Sequence, residues 1–69
     1  MTYFARVIEV ITRTGGEVSD IVQVEAATGA DAVNRIASTL KVAPQQVYLI
    51  TEDEAREWAA LGISVQEVL

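Results

Sequence analysis

The densest run of ionisable side chains is Glu52-Asp53-Glu54, with Glu57 one helical turn further on. Two chemistries suit such a run: a divalent-metal site, or an acidic docking patch for another protein. Metal binding fits poorly. Consecutive helical residues point about 100° apart, so positions 52, 53 and 54 cannot converge on one ion. A calcium loop would space its acids at alternating positions around a glycine turn, and that spacing is absent. Acids in the first turn of a helix also have a plain structural use, since each complements the positive end of the helix dipole by about 0.3–1 kcal/mol. Trp58 follows on the same segment. An exposed Trp can anchor an interface, and a buried one serves the core. Glu52, Asp53, Glu54, Glu57 and Trp58 are therefore the candidate partner-binding residues.

Other chemistry is scarce. The chain has no Cys and no His, so it lacks a thiolate nucleophile, an imidazole base and a conventional zinc, haem or iron–sulfur site. A hydroxyl nucleophile would need a carboxylate or the lone Lys41 as its base. Paired carboxylates working as acid and base would need a cleft that raises one pKa, and so short a chain gives no sign of one. Thr14-Gly15-Gly16 lacks the glycine spacing and the lysine of a phosphate-binding loop, and no helix follows it directly. A hairpin turn accounts for it. No enzyme activity, cofactor or metal is expected.

Residues 54–69 (EAREWAALGISVQEVL) have the layout of an opening helix-turn-helix: a helix, a glycine turn and a capped second helix. The supposed recognition helix is only five residues long. Against it stand Glu54, Glu57 and Glu67, with Arg56 as the one cation, whereas groove-reading helices carry basic or amide side chains. A net charge of -5, with Arg6, Arg13, Arg35, Lys41 and Arg56 scattered, also argues against binding a phosphate backbone.

The elements that must position these residues read as follows. Tyr3 to Thr12 holds Val7, Ile8, Val10 and Ile11, a β-branched run typical of a strand. Glycines at 15 and 16 allow a tight turn. From Val18 to Ala26, Val18, Asp20, Val22, Val24 and Ala26 alternate with Ser19, Ile21, Gln23 and Glu25, the period of a half-buried strand. A three-residue loop, Gly15-Gly16-Glu17, would set Ile8 opposite Val24 and Val10 opposite Val22. That register segregates the faces best. It leaves Val7, Ile11 and Ile21 as an apolar remnant on the polar face, and these three are the candidate dimer interface. Thr28 caps a helix with Asp31 in its first turn. Ala32, Val33, Ile36, Ala37 and Leu40 form its buried stripe, and Pro44 marks its end. Val47-Tyr48-Leu49-Ile50 is a third strand. Thr51 and Glu54 form a capping box for a second helix reaching Leu61, with Ala55, Trp58 and Ala59 on one face and Gly62 just past its end. Ser64 and Glu67 form another capping box, flanked by Ile63 and Val68 as a hydrophobic staple. The tail is thus expected to be a short helical turn, with a strand at residues 63–68 as the alternative. At least two of the aromatics Tyr3, Phe4, Tyr48 and Trp58 are expected in the core.

The expected architecture is one α+β domain over residues 1–69. It has ββαβα topology, a three-stranded antiparallel sheet in the order 2-1-3, and a C-terminal helical turn. The chain is 51% apolar, which excludes intrinsic disorder. With no disulfide or zinc to staple a domain of 69 residues, a mean hydropathy of +0.28 points to self-association as a homodimer. No apolar run approaches the roughly 20 residues that cross a bilayer. The N-terminus lacks the pattern of a signal peptide, so a cytoplasmic setting is the default.

The ββα run, with Val7-Ile8-Glu9-Val10, then Val22-Gln23-Val24-Glu25-Ala26-Ala27, then Ala32 and Arg35-Ile36-Ala37-Ser38, resembles small proteins of bacteriophages and mobile elements, some anti-CRISPR proteins among them. The resemblance covers the first half of the chain and implies a stoichiometric protein inhibitor without catalysis. It transfers no individual functional residue. The sequence alone thus leads to a non-catalytic module that binds another protein. A regulatory or structural subunit of a larger assembly, or a helix-turn-helix-like protein associated with nucleic acid, is the alternative.

Overall fold

The computed structural model describes the backbone of residues 1–11 and 16–68, and the side chains of residues 1–8 and 19–68. The elements are β1 (Thr2–Ile11), β2 (Gly16–Glu25), α1 (Gly29–Leu40), a single 3-10 turn at Pro44–Gln46, β3 (Val47–Ile50), α2 (Glu52–Ala60) and β4 (Val65–Val68). The chain is α+β, with a four-stranded sheet in the order β3-β1-β2-β4. The expected neighbours 2-1-3 are all present and antiparallel. The fourth strand, parallel to β2, replaces the expected helical turn. Ser64 and Glu67 do carry the local signal of a helix start. A single turn of helix is costly to nucleate, however, and the open edge of β2 offers Val65 to Val68 a full backbone partner.

The hairpin register also differs from the expectation. Ile8 lies opposite Ser19, not Val24, and Ala5 lies opposite Val22. Gly16 and Glu17 belong to β2, so the three-residue loop does not form. The offset of five residues is odd, which exchanges the faces of β1 relative to β2. One face now carries Tyr3, Ala5 and Val7 beside Val22 and Val24, with Val47 and Leu49 of β3 and Val68 of β4. α1 packs here through Ala32, Ile36 and Ala37. The physical reason is the small size of Ala5 and Val7, which lets the alanine-rich stripe of α1 approach the strands closely. Tyr3, Val33, Leu40 and Val42 close the margin of this core. None of the four aromatics is fully buried, contrary to expectation. The core is built from Ala, Val and Ile.

The other face carries Phe4, Arg6, Gln23, Ile21, Tyr48, Ile50 and Val65, and α2 lies over it. Both crossovers join parallel strands: β2 to β3 through α1, and β3 to β4 through α2. They run in opposite directions across the sheet. Crossovers that share the usual right hand must then place their helices on opposite faces, which is the arrangement found.

Local signals set the element ends. The Thr28 hydroxyl accepts from the Asp31 amide at 3.1 Å, and Thr51 does the same for Glu54 at 3.1 Å. α1 ends three residues before Pro44, at Lys41, whose φ of 57° is left-handed. α2 ends on Gly62, with φ of 96°. Bonds from Gly62 N to Ala59 O (3.0 Å) and from Ile63 N to Trp58 O (3.2 Å) close its last turn, the paired pattern of a Schellman ending. The Gln46 side chain accepts from Ala43 N and donates to Ile8 O at 2.8 Å. It thereby satisfies a β1 carbonyl just where β3 stops pairing.

Candidate functional site

A groove of about 530 Å³ runs between α2 and β3, lined by Arg6, Tyr48, Ile50, Glu54, Glu57, Trp58 and Leu61. Its floor comes from the sheet. Arg6 and Tyr48 are direct cross-strand neighbours, and the Arg6 guanidinium stacks over the Tyr48 ring at 5.7 Å, a cation–π geometry. Ile50 is two residues along the same strand and therefore shares the face. The wall is one helical stripe, since 54, 57, 58 and 61 fall at the spacing of a single α-helix face. Ala55, one position from that stripe, is buried and brings α2 close to the sheet. A larger side chain there would lift the helix and widen the groove.

The expected partner-binding residues divide. Glu54, Glu57 and Trp58 come together in the groove, with Trp58 half-buried. Glu52 instead pairs with Arg56 at 2.8 Å, four residues on, and borders a separate hollow with Thr2, Phe4 and Ile50. Asp53 is an exposed first-turn acid lining none of these hollows. Because both side chains of the Glu52–Arg56 pair are largely exposed, it contributes little to stability. Among the described residues no group of three metal-capable side chains is gathered in one place. Glu54 and Glu57 have no ion-pair partner among the described residues.

Sequence reasoning missed Arg6, Tyr48, Ile50 and Leu61. The alternation of β1 and β3 held the signal for the first three, but it becomes readable only when the register is known. Leu61 is 77% exposed and Tyr48 49% exposed, so the groove offers apolar surface to a partner rather than enclosing it.

Of the candidate dimer residues, Val7 and Ile21 are not brought together. Val7 and Ile21 are each 0% exposed, and they lie on opposite faces of the sheet, Val7 against α1 and Ile21 on the α2 side. The Ile11 side chain lies outside the described residues. Val7 and Ile21 therefore share no exposed surface for a second copy, whereas the expectation of a homodimer itself rests on the apolar surplus of the chain.

A third hollow is lined by Gln23, Val24, Glu25, Arg35, Glu67 and Val68, and its cation Arg35 is already engaged. Arg35 Nε donates to Asp31 at 3.0 Å. The Thr2 hydroxyl hydrogen-bonds Glu25 and is the main influence holding that carboxyl below the usual glutamate range.

No described side chain that is polar or charged is buried. No helix among the described residues is long and apolar enough to cross a membrane. No family model matches the chain, and no curated protein or solved structure matches it significantly.

Proposed function

We propose that the chain is a non-catalytic protein-binding module that holds its partner in the groove between α2 and β3. The carrying observation is the composition of that groove: a half-buried Trp58, an exposed Tyr48 and Leu61, and two carboxylates without ion-pair partners among the described residues. Aromatic anchors surrounded by polar side chains are what binding hot spots are made of. Catalysis finds less support. A carboxyl tuned to act as general acid needs burial or a close like charge, and all described ionisable side chains lie in solvent contact.

The resemblance to small phage proteins would make the partner a component of a bacterial defence complex. A housekeeping assembly that uses the chain as a subunit is the alternative. The test compares the proteins captured from bacterial lysate by wild type and by Trp58→Ala, both checked for folding by circular dichroism. Prey that is lost with the variant supports the reading, and its identity separates inhibitor from subunit. Equal capture by both forms, or substrate turnover by the purified chain, overturns it.

A further inference from the structure

We propose that the groove's occupant is an extended basic segment of another protein, which adds a strand to the open edge of β3 and places alternate cationic side chains between Glu54, Glu57 and Trp58. This rests on the protein-binding reading and names the class of partner.

The edge comes first. Among the described residues, β3 bonds to β1 on one side only and ends the sheet. Its residues Val47-Tyr48-Leu49-Ile50 include no charge and no proline, the devices by which edge strands are usually protected from pairing. Tyr48 and Leu49 are 49% and 43% exposed. The opposite edge, β4, carries Gln66 and Glu67 and is the less receptive of the two.

The groove fixes the rest. Tyr48 and Ile50 are both edge-strand residues and groove-lining residues. A strand added beside β3 would therefore send every second side chain into the groove, and the others towards Leu49. In strand addition the backbone bonds supply affinity and the pockets for alternate side chains supply specificity.

Charge selects the occupant. The helical wall presents Glu54 and Glu57, and Arg6 is the only cation lining the groove among the described residues, which leaves their sum negative. A cation entering beside Trp58 meets an aromatic face and two carboxylates together. A second copy of this chain is the wrong partner. It brings a net charge of -5, its own β3 brings no cation, and pairing the two edges would bring two acidic helices closer on one face.

The test uses the full chain and a short alternating Lys-Val peptide, with the single Trp58 as fluorescent reporter. Controls are the alternating Glu-Val peptide and a Lys-Val peptide methylated at alternate backbone nitrogens. The Lys-Val peptide is expected to shift Trp58 emission and the amide resonances of Tyr48 and Leu49. Glu54→Lys with Glu57→Lys is expected to weaken binding about tenfold or more, as loss of charge-assisted contacts does. Backbone methylation is expected to weaken it comparably, by removing the added ladder. Equal binding of the Glu-Val or the methylated peptide overturns the proposal, as does no binding of any peptide. Self-pairing at β3 in the absence of peptide overturns it too, because the occupant is then a second copy. If peptides fail while lysate capture still depends on Trp58, strand addition is wrong and the protein-binding reading survives. If capture does not depend on Trp58, that reading itself fails.

Discussion

Individual residues show how local chemistry sets this fold's boundaries. Lys41 occupies the left-handed position that ends α1, where the Val42 amide reaches back to Ala37 O at 3.1 Å. A side chain there costs roughly 1–2 kcal/mol, and glycine would remove that strain while giving back about 0.5–1 kcal/mol in backbone entropy. Lys41→Gly is therefore expected to stabilise by about 0.5 kcal/mol, read as a higher midpoint in urea. Asp31 gives a pH dependence. Its carboxylate accepts from the Ala27 amide at 3.3 Å and from Arg35 at 3.0 Å, and these bonds, the amide foremost, hold its pKa below the ordinary aspartate value. A carboxyl depressed in the folded state adds stability above its unfolded pKa of about 3.9, and that stability disappears as pH falls through the folded value. Thermal melts should show wild type above Asp31→Asn at neutral pH, with the gap closing in acid. A gap of constant size would refute the assignment.

At the scale of elements, what could be read in the sequence was what is locally encoded. The caps Thr28 and Thr51, the stripe Ala32-Ile36-Ala37 and the Gly62 ending each act within one or two turns of chain, and each lies where its local chemistry places it. β4 was not readable as the first choice, because Ser64 and Glu67 are helix-starting residues and the open edge that captures them lies some forty residues away in sequence. The hairpin register was unreadable for a different reason: β1 is apolar on both faces, so its own pattern does not say which face goes inward. The packing of α1 decides it. This also divides the site. Glu54, Glu57 and Trp58 could be named from one helix, but Arg6, Tyr48 and Ile50 depend on a pairing that no local pattern contains. The β4 assignment predicts that Val68→Asp is severe, since Val68 pairs with Val24 and packs on the core. A charge placed there should cost about 2–3 kcal/mol. A near-neutral effect in denaturant unfolding would mean that the tail leaves the sheet.

For the molecule as a whole, the question is how so apolar and short a chain completes itself. Small domains bury a modest share of their surface, and this one uses two helical layers and a fourth strand to do so. Ile21, which needed either the second helix or a second copy to cover it, is buried within one chain. Ile21→Ala should then cost about 2–4 kcal/mol as an ordinary cavity in a core, and the stability of the wild type should not depend on protein concentration. For an obligate dimer a hundredfold rise in concentration would add about 2.7 kcal/mol by mass action, which moves a melting midpoint in a domain this small by roughly 10 °C or more. Melts across that range should therefore superimpose. A midpoint that climbs with concentration would show that folding is completed between copies, and since β3 is the unguarded edge, it would direct attention there first.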